Sequence, residues 1–174
     1  MYNLNVKIEY SQQQLKRIGL HLVSLIRDRT AKGKDKDGLP FKEYSKNAFG
    51  MPYGAANKKA VRQLVKEDKA VIFTSANNKK WVLFKTGYLD YKKLLYKDTS
   101  YDGTVNLMLT GRMMQDLNVI QLDNNRIVIG FNNAEMAQRA GFNAMRGREF
   151  LGLSNADLND VRLKELLGEG LAIK

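Results

Sequence analysis

The sequence predicts an α+β fold: a single domain in which an N-terminal amphipathic helix and C-terminal helices pack on a small antiparallel sheet, with an extended arm or loop. Three observations carry this prediction. Apolar residues recur at helical spacing over residues 12–30, two pairs of β-rich runs flank Asn-containing turns, and a helix-capping pattern opens the last stretch of chain. At 174 residues the chain is long enough for one domain with a substantial core.

The elements follow in order. Leu4, Val6 and Ile8 alternate with Asn5, Lys7 and Glu9, the period of a half-buried strand. Ser11 suits a helix cap. Leu15, Ile18, Leu22, Leu25 and Ile26 then mark a helix over about 12–30. Gly19 falls on its apolar face, where it admits a close neighbour. His21 sits at the edge of that face and reads as a packing or surface residue rather than a ligand. Residues 31–56, rich in Lys, Gly, Asp and Pro, read as an irregular arm. Asp35-Lys36-Asp37-Gly38 is no calcium loop, because Lys46 stands where the bidentate glutamate belongs.

Asn57 caps a predicted helix over 58–67. Ala70–Thr74 and Trp81–Phe84 form a predicted hairpin around Asn77-Asn78. Tyr88, Tyr91, Tyr96 and Tyr101 interleave with Lys92, Lys93 and Lys97. This pattern fits either a stacking-plus-charge surface for single strands or a core or interface segment with solvated lysines. Leu109, Met113 and Leu117, four apart, predict a helix over 105–117. Val119–Leu122 and Arg126–Phe131 predict a second hairpin around Asp123-Asn124-Asn125. Ala134–Ala140 reads as a short helix stopped by Gly141. Ser154 and Asp157 have the spacing of a capping box and open a helix that ends before Gly168.

Composition narrows the chemistry. With no cysteine and one histidine, the chain has no thiolate nucleophile, disulfide or cysteine–zinc site, and its prospects for a His-rich metal centre are poor. No run approaches the roughly 18 apolar residues of a membrane span. Residues 1–10 lack the features of a secretory signal, so a soluble protein made in the cytosol is expected. The formal net charge of +11 is uneven. Residues 1–69 hold 15 Lys and Arg against 7 Asp and Glu, residues 70–104 hold 6 against 3, and residues 105–174 hold 8 against 8. The basic character of the first 104 residues favours nucleic acid or an acidic protein partner. Lys32, Lys34 and Lys36, with Lys92, Lys93 and Lys97, are the candidates for that contact.

Catalytic motifs are absent from the sequence. It has no nucleophile elbow, phosphate-binding glycine loop or His-Glu-x-x-His. Asp157 and Asp160, three apart on a helix, read as solvated acids near a helix N-terminus. A nuclease built on carboxylates alone needs no motif, but no catalytic, cofactor or metal residue is assigned.

Several pieces also occur in a telling order. They are Arg29-Thr30, Gly33, Asp37-Gly38 and Pro40-Phe41, then Leu109-Thr110-Gly111-Arg112-Met113 and Val128-Ile129-Gly130. Ala137 to Gly141 and the run Arg148-Glu149-Phe150-Leu151-Gly152-Leu153-Ser154, with Asp157 after it, complete the set. This set resembles the virion morphogenesis family of tailed phages, the tail-completion and head–tail joining proteins of Mu-like phages. The likeness covers about 12–45 and 105–167, and residues 57–104 stand between as a variable insertion. The chain departs from the family in two places. Gln138-Arg139-Ala140-Gly141 lacks the histidine of a His-Gln-Gly-like triplet, and Glu149 replaces a frequent proline.

The resemblance implies a structural virion protein without catalysis, made in the host cytoplasm and placed in the neck or at the top of the tail. It implies rings of roughly six or twelve copies, built through heterologous contacts. Their partners are other neck, portal-adaptor or tail proteins and the DNA in the channel, with no membrane and no cofactor. On that reading the arm 31–56 lies on a neighbouring subunit through Phe41, Tyr44 and Phe49, or else these rings fill their own core. Arg148, Phe150 and Leu151 either hook a neighbour or dock the final helix. The alternative function is a basic nucleic-acid-binding protein without catalytic activity.

Overall fold

In the computed structural model the described residues are 10–95, 103–107, 111–123 and 126–168. The strand expected at 4–8, together with Tyr96, Lys97, Tyr101, Leu109, Thr110, Asn124 and Asn125, lies outside them. Helices and small antiparallel sheets make up the fold, so the α+β class is as expected. The chain divides into two compact units, residues 1–41 with 106–174, and residues 42–105. Each has its own sheet.

In the first unit, α1 runs Gln12–Ala31, close to its expected range. Ser11 caps it by accepting from the Gln14 amide, and the Gln14 side chain accepts from the Ser11 amide in return. Leu15, Ile18, Val23 and Ile26 are buried on one face. The hairpin β4 (Leu117–Asp123) and β5 (Arg126–Phe131) lies against that face. A Cβ on Gly19 would stand 2.7 Å from Val119 Cγ2 and 3.0 Å from Ile127 Cγ2. The close approach read from Gly19 is therefore to this hairpin.

Three helical expectations need correction. Of the helix expected over 105–117 the described residues hold only α4, Arg112–Asp116, because Leu107 at φ +54° and Gly111 at φ +74° are left-handed. The helix expected to stop at Gly141 runs on as α5, Ala134–Met145. Gly141 faces open space there, and a helix tolerates glycine at about 1 kcal/mol. The stop is Gly147, at φ +72°, with the Gly147 amide donating to Ala144 and the Arg148 amide to Asn143. The final helix is two pieces, α6 (Asn155–Leu158) and α7 (Val161–Gly168). Asp160 interrupts it by accepting from the Leu163 amide as a new cap.

Residues 33–41 do not extend as an arm. The Asp35 carboxylate accepts from the Asp37 and Leu39 amides at 3.0 and 2.8 Å, and the Phe41 amide donates to Gly33 at 2.9 Å. The segment closes on itself, and Phe41 at its end is buried.

The second unit begins with the rest of the expected arm. Phe49–Pro52 forms an unanticipated strand, β1. It pairs with β3 (Lys80–Phe84), which also pairs with β2 (Ala70–Thr74), in the order β1-β3-β2. Helices α2 (Lys58–Lys66) and α3 (Tyr88–Leu95) complete the unit. Asn57 caps α2 as expected. Ala60, Val61, Leu64, Ala70, Val82, Phe84 and Tyr91 form the core. Phe49 stacks on Phe84 at 4.8 Å, and Phe84 meets Tyr91 at 4.7 Å. The insertion expected over 57–104 is thus most of a compact unit with its own hydrophobic core.

Candidate interaction surfaces

The Arg148–Ser154 run is positioned by one side chain. Arg29, in the last turn of α1, is buried. Its guanidinium donates to the Asp157 carboxylate, to the Phe150 carbonyl at 2.7 Å and to the Gly152 carbonyl at 2.9 Å. Asp157 also accepts from the Ser154 amide at 2.8 Å, completing the capping box that opens α6. The Lys36 amide donates to the Glu149 carbonyl at 2.8 Å, so loops 33–41 and 148–154 run side by side. Burial pulls the Arg29 guanidinium below its ordinary value, and Asp35 and Asp37 act in the opposite sense. A guanidinium remains charged under such opposed influences, and its fixed fork can serve three acceptors at once.

A second link ties α1 to α7. Nε2 of His21 lies 2.7 Å from Oδ1 of Asp160. That hydrogen bond and the Leu163 amide hold the Asp160 carboxyl below the usual carboxylate range. His21 is thus a packing residue with a specific partner. Asp157 and Asp160, expected as solvated acids, have separate structural duties, and Asp157 is buried.

The structure sorts the other expected contact residues. Phe150 is 2% exposed and meets Phe131 edge-on at 6.3 Å, so it holds its own unit together. Arg148 is buried as well, while Leu151 is exposed. Phe41 is buried. Tyr44 packs edge-on to Tyr88 at 5.1 Å, and Phe49 is tied to Phe84. In place of the expected anchoring of an arm on a neighbour, Tyr44 and Phe49 pack within their own unit and Phe41 is covered within the chain. Lys32 and Lys34 are exposed. Lys36 is partly covered and bonded to Asp37 at 2.9 Å. Lys93 is exposed, but Lys92 is 1% exposed and donates to the Tyr44 hydroxyl at 2.7 Å. Its expected role as a surface contact is therefore corrected. Tyr91 is buried too, with its hydroxyl accepting from the Asn57 amide. In the described part of the Tyr–Lys run, Tyr91 and Lys92 are internal, Tyr88 is partly covered and Lys93 faces solvent.

Three further surfaces are open, and of the residues that form them only Leu151 was expected as a contact residue. Leu39, 62% exposed, stands with exposed Leu151 and Leu153 on the two loops that Arg29 organises. In the second unit, alternation places Val71, Phe73, Trp81 and Leu83 on the sheet face opposite the core, where Phe73 pairs across the strands with Trp81. Phe73 is 43% exposed, and Val71 and Leu83 are comparably open. The signal was present, since Ala-Val-Ile-Phe-Thr is apolar on both faces. The third surface is the outer side of α2, which carries Lys58, Lys59, Arg62 and Lys66, all exposed.

Among the described residues no group of three or more His, Asp and Glu is placed to hold a metal ion, and no helix is long and apolar enough to cross a membrane. No protein-family model, curated protein or solved structure matches the chain.

Proposed function

We propose that the chain is a structural virion protein of a tailed phage. It acts in head–tail joining or tail completion as a ring subunit in the neck, around the DNA channel. One observation supports this above the others. The separated blocks that resemble the virion morphogenesis proteins, Arg29 to Phe41 and Arg148 to Asp157, meet through Arg29, Asp157 and the Lys36–Glu149 backbone bond. The residues between 42 and 105, outside most of the resemblance, form a unit of their own. Two blocks of the ordered set thus have a common structural purpose, which is to present the loops 33–41 and 148–154.

Those loops end in exposed apolar side chains. Leu39, Leu151 and Leu153 are the residues assigned here to a neighbouring subunit, in place of the buried Phe41 and Phe150. Within the described part of the Tyr–Lys run, Tyr91 and Lys92 are internal and so give little support to a free nucleic-acid-binding protein.

The test is a phage particle assembled without this chain. Unjoined heads and tails are expected, with joining restored when the protein is added back. Particles that join and infect normally without it would sink the reading.

A further inference from the structure

We propose that the outer face of α2 is a contact surface for the sugar-phosphate backbone of double-stranded nucleic acid. This inference does not rest on the ring reading. The helix divides cleanly by face. Ala60, Val61 and Leu64 are buried in the core of their unit, while Lys58, Lys59, Arg62 and Lys66 face solvent. No acidic residue lies within the helix. Among the described residues none of these four cations is in an ion pair.

This arrangement opposes the helix's own stability. Lys58 and Lys59 occupy the first turn, where the helix dipole favours anions. Lys58, Arg62 and Lys66 are four apart, so like charges are stacked along one row and repel. An external polyanion reverses both effects. The residue unit 42–105 adds a general field, since it holds 13 Lys and Arg against 6 Asp and Glu.

The chemistry of the row selects the partner. Its members are long flexible cations, and Val65, 39% exposed, is the sole large apolar neighbour among the residues of α2. Protein interfaces draw their energy from desolvated aromatic and aliphatic anchors and are depleted in lysine. Backbone contacts to a duplex need no such anchor and carry no sequence information. At a rise of about 1.5 Å per residue, Lys58, Arg62 and Lys66 stand about 6 Å apart and span about 12 Å. Successive phosphates of one strand advance about 3.4 Å along a duplex axis, so a row lying along that axis spans about four phosphates. The contact is therefore non-specific in sequence and strongly dependent on salt.

The experiment uses the full chain and a labelled 20-base-pair DNA duplex of arbitrary sequence, with binding read by fluorescence anisotropy across a salt series. Two variants change charge equally, Lys58→Glu/Arg62→Glu/Lys66→Glu and Lys16→Glu/Arg146→Glu/Arg162→Glu, the second at exposed cations given no contact role. The wild type is expected to bind with a log–log salt slope of about −3. The α2 variant should weaken binding at low salt at least tenfold and flatten the slope by about 2 to 3. The other variant should weaken it less than threefold. Emission of Trp81, in the same unit as α2, monitors folding. If the glutamates disturb the fold, the glutamine versions at 58, 62 and 66 take their place. Equal losses in both variants, no binding by the wild type at low salt, or tighter binding of a polyglutamate peptide of matched charge would each overturn the proposal. A chain that binds through α2 but never forms rings keeps this inference and counts against the ring reading alone.

Discussion

Arg29 and Asp157 stand 128 residues apart and meet in a buried pair, each bonded to further backbone groups. A pair of this kind adds little over an apolar replacement of both partners, but removing one leaves a buried charge uncompensated, at about 3–5 kcal/mol. Arg29→Met and Asp157→Leu are each expected to lower stability by about that amount in chemical denaturation, and the double variant to recover part of the loss. If the single losses simply add in the double variant, the two side chains are not coupled. Asp160 makes a different prediction. Its carboxyl is held below the ordinary range by His21 first and the Leu163 amide second. A depressed acid contributes stability that is present above its unfolded value and lost as pH falls through its folded value. Asp160→Asn should therefore lower the melting temperature near neutral pH and reduce the loss that the parent shows under acid. An unchanged acid limb in the variant would remove Asp160 from that role. The sequence showed the Ser154–Asp157 capping box because caps are local. It could not show Arg29 beside Asp157, since nothing in either segment names its distant partner.

Elements were legible where a pattern repeated. Helix α1 carries its apolar stripe over 20 residues and was read nearly to its ends. The 105–117 stretch misled because Leu109, Met113 and Leu117 keep a four-residue spacing while the backbone at Leu107 turns left-handed. Strand β1 was missed because Phe-Gly-Met-Pro carries no pattern. Its Pro52 is acceptable on an edge strand, and Phe49 packs on the core. Two close approaches between elements give testable values. Gly87 has φ +86°, and a Cβ there would lie 2.4 Å from the Ser45 carbonyl oxygen and 2.8 Å from Lys46 Cα. Gly87→Ala is expected to cost more than the about 1–2 kcal/mol of a left-handed residue alone, because backbone must also move. Trp81 emission during urea unfolding reads this loss, and an unchanged midpoint would contradict the contact. Gly19→Leu should cost about 1–3 kcal/mol by forcing α1 and the β4–β5 hairpin apart, measured by circular dichroism on heating.

At the scale of the whole molecule the sequence disclosed the α+β class and the concentration of charge in the first 104 residues, because both are sums over many positions. The division into two units was not legible, since it depends on β1 joining β3, a pairing that Phe-Gly-Met-Pro does not announce. The same division changes how ring assembly must be tested. Phe150 and Leu151 are neighbours in sequence, yet one is buried beside Phe131 and the other is open with Leu39 and Leu153. Phe150→Ala should destabilise the fold by about 3–5 kcal/mol, whatever the assembly state. Leu151→Asp combined with Leu153→Asp should leave the circular dichroism spectrum and melting temperature near those of the parent, because exposed substitutions move stability by about 0.5 kcal/mol or less. If these leucines seat a neighbouring subunit, the double variant should remain a folded monomer under conditions where the parent forms rings, as read by light scattering and negative-stain microscopy. Rings from the double variant would show that the loops held by Arg29 face solvent in the assembly, and the neighbour contact would then have to be sought on the open Val71–Phe73–Leu83 sheet face.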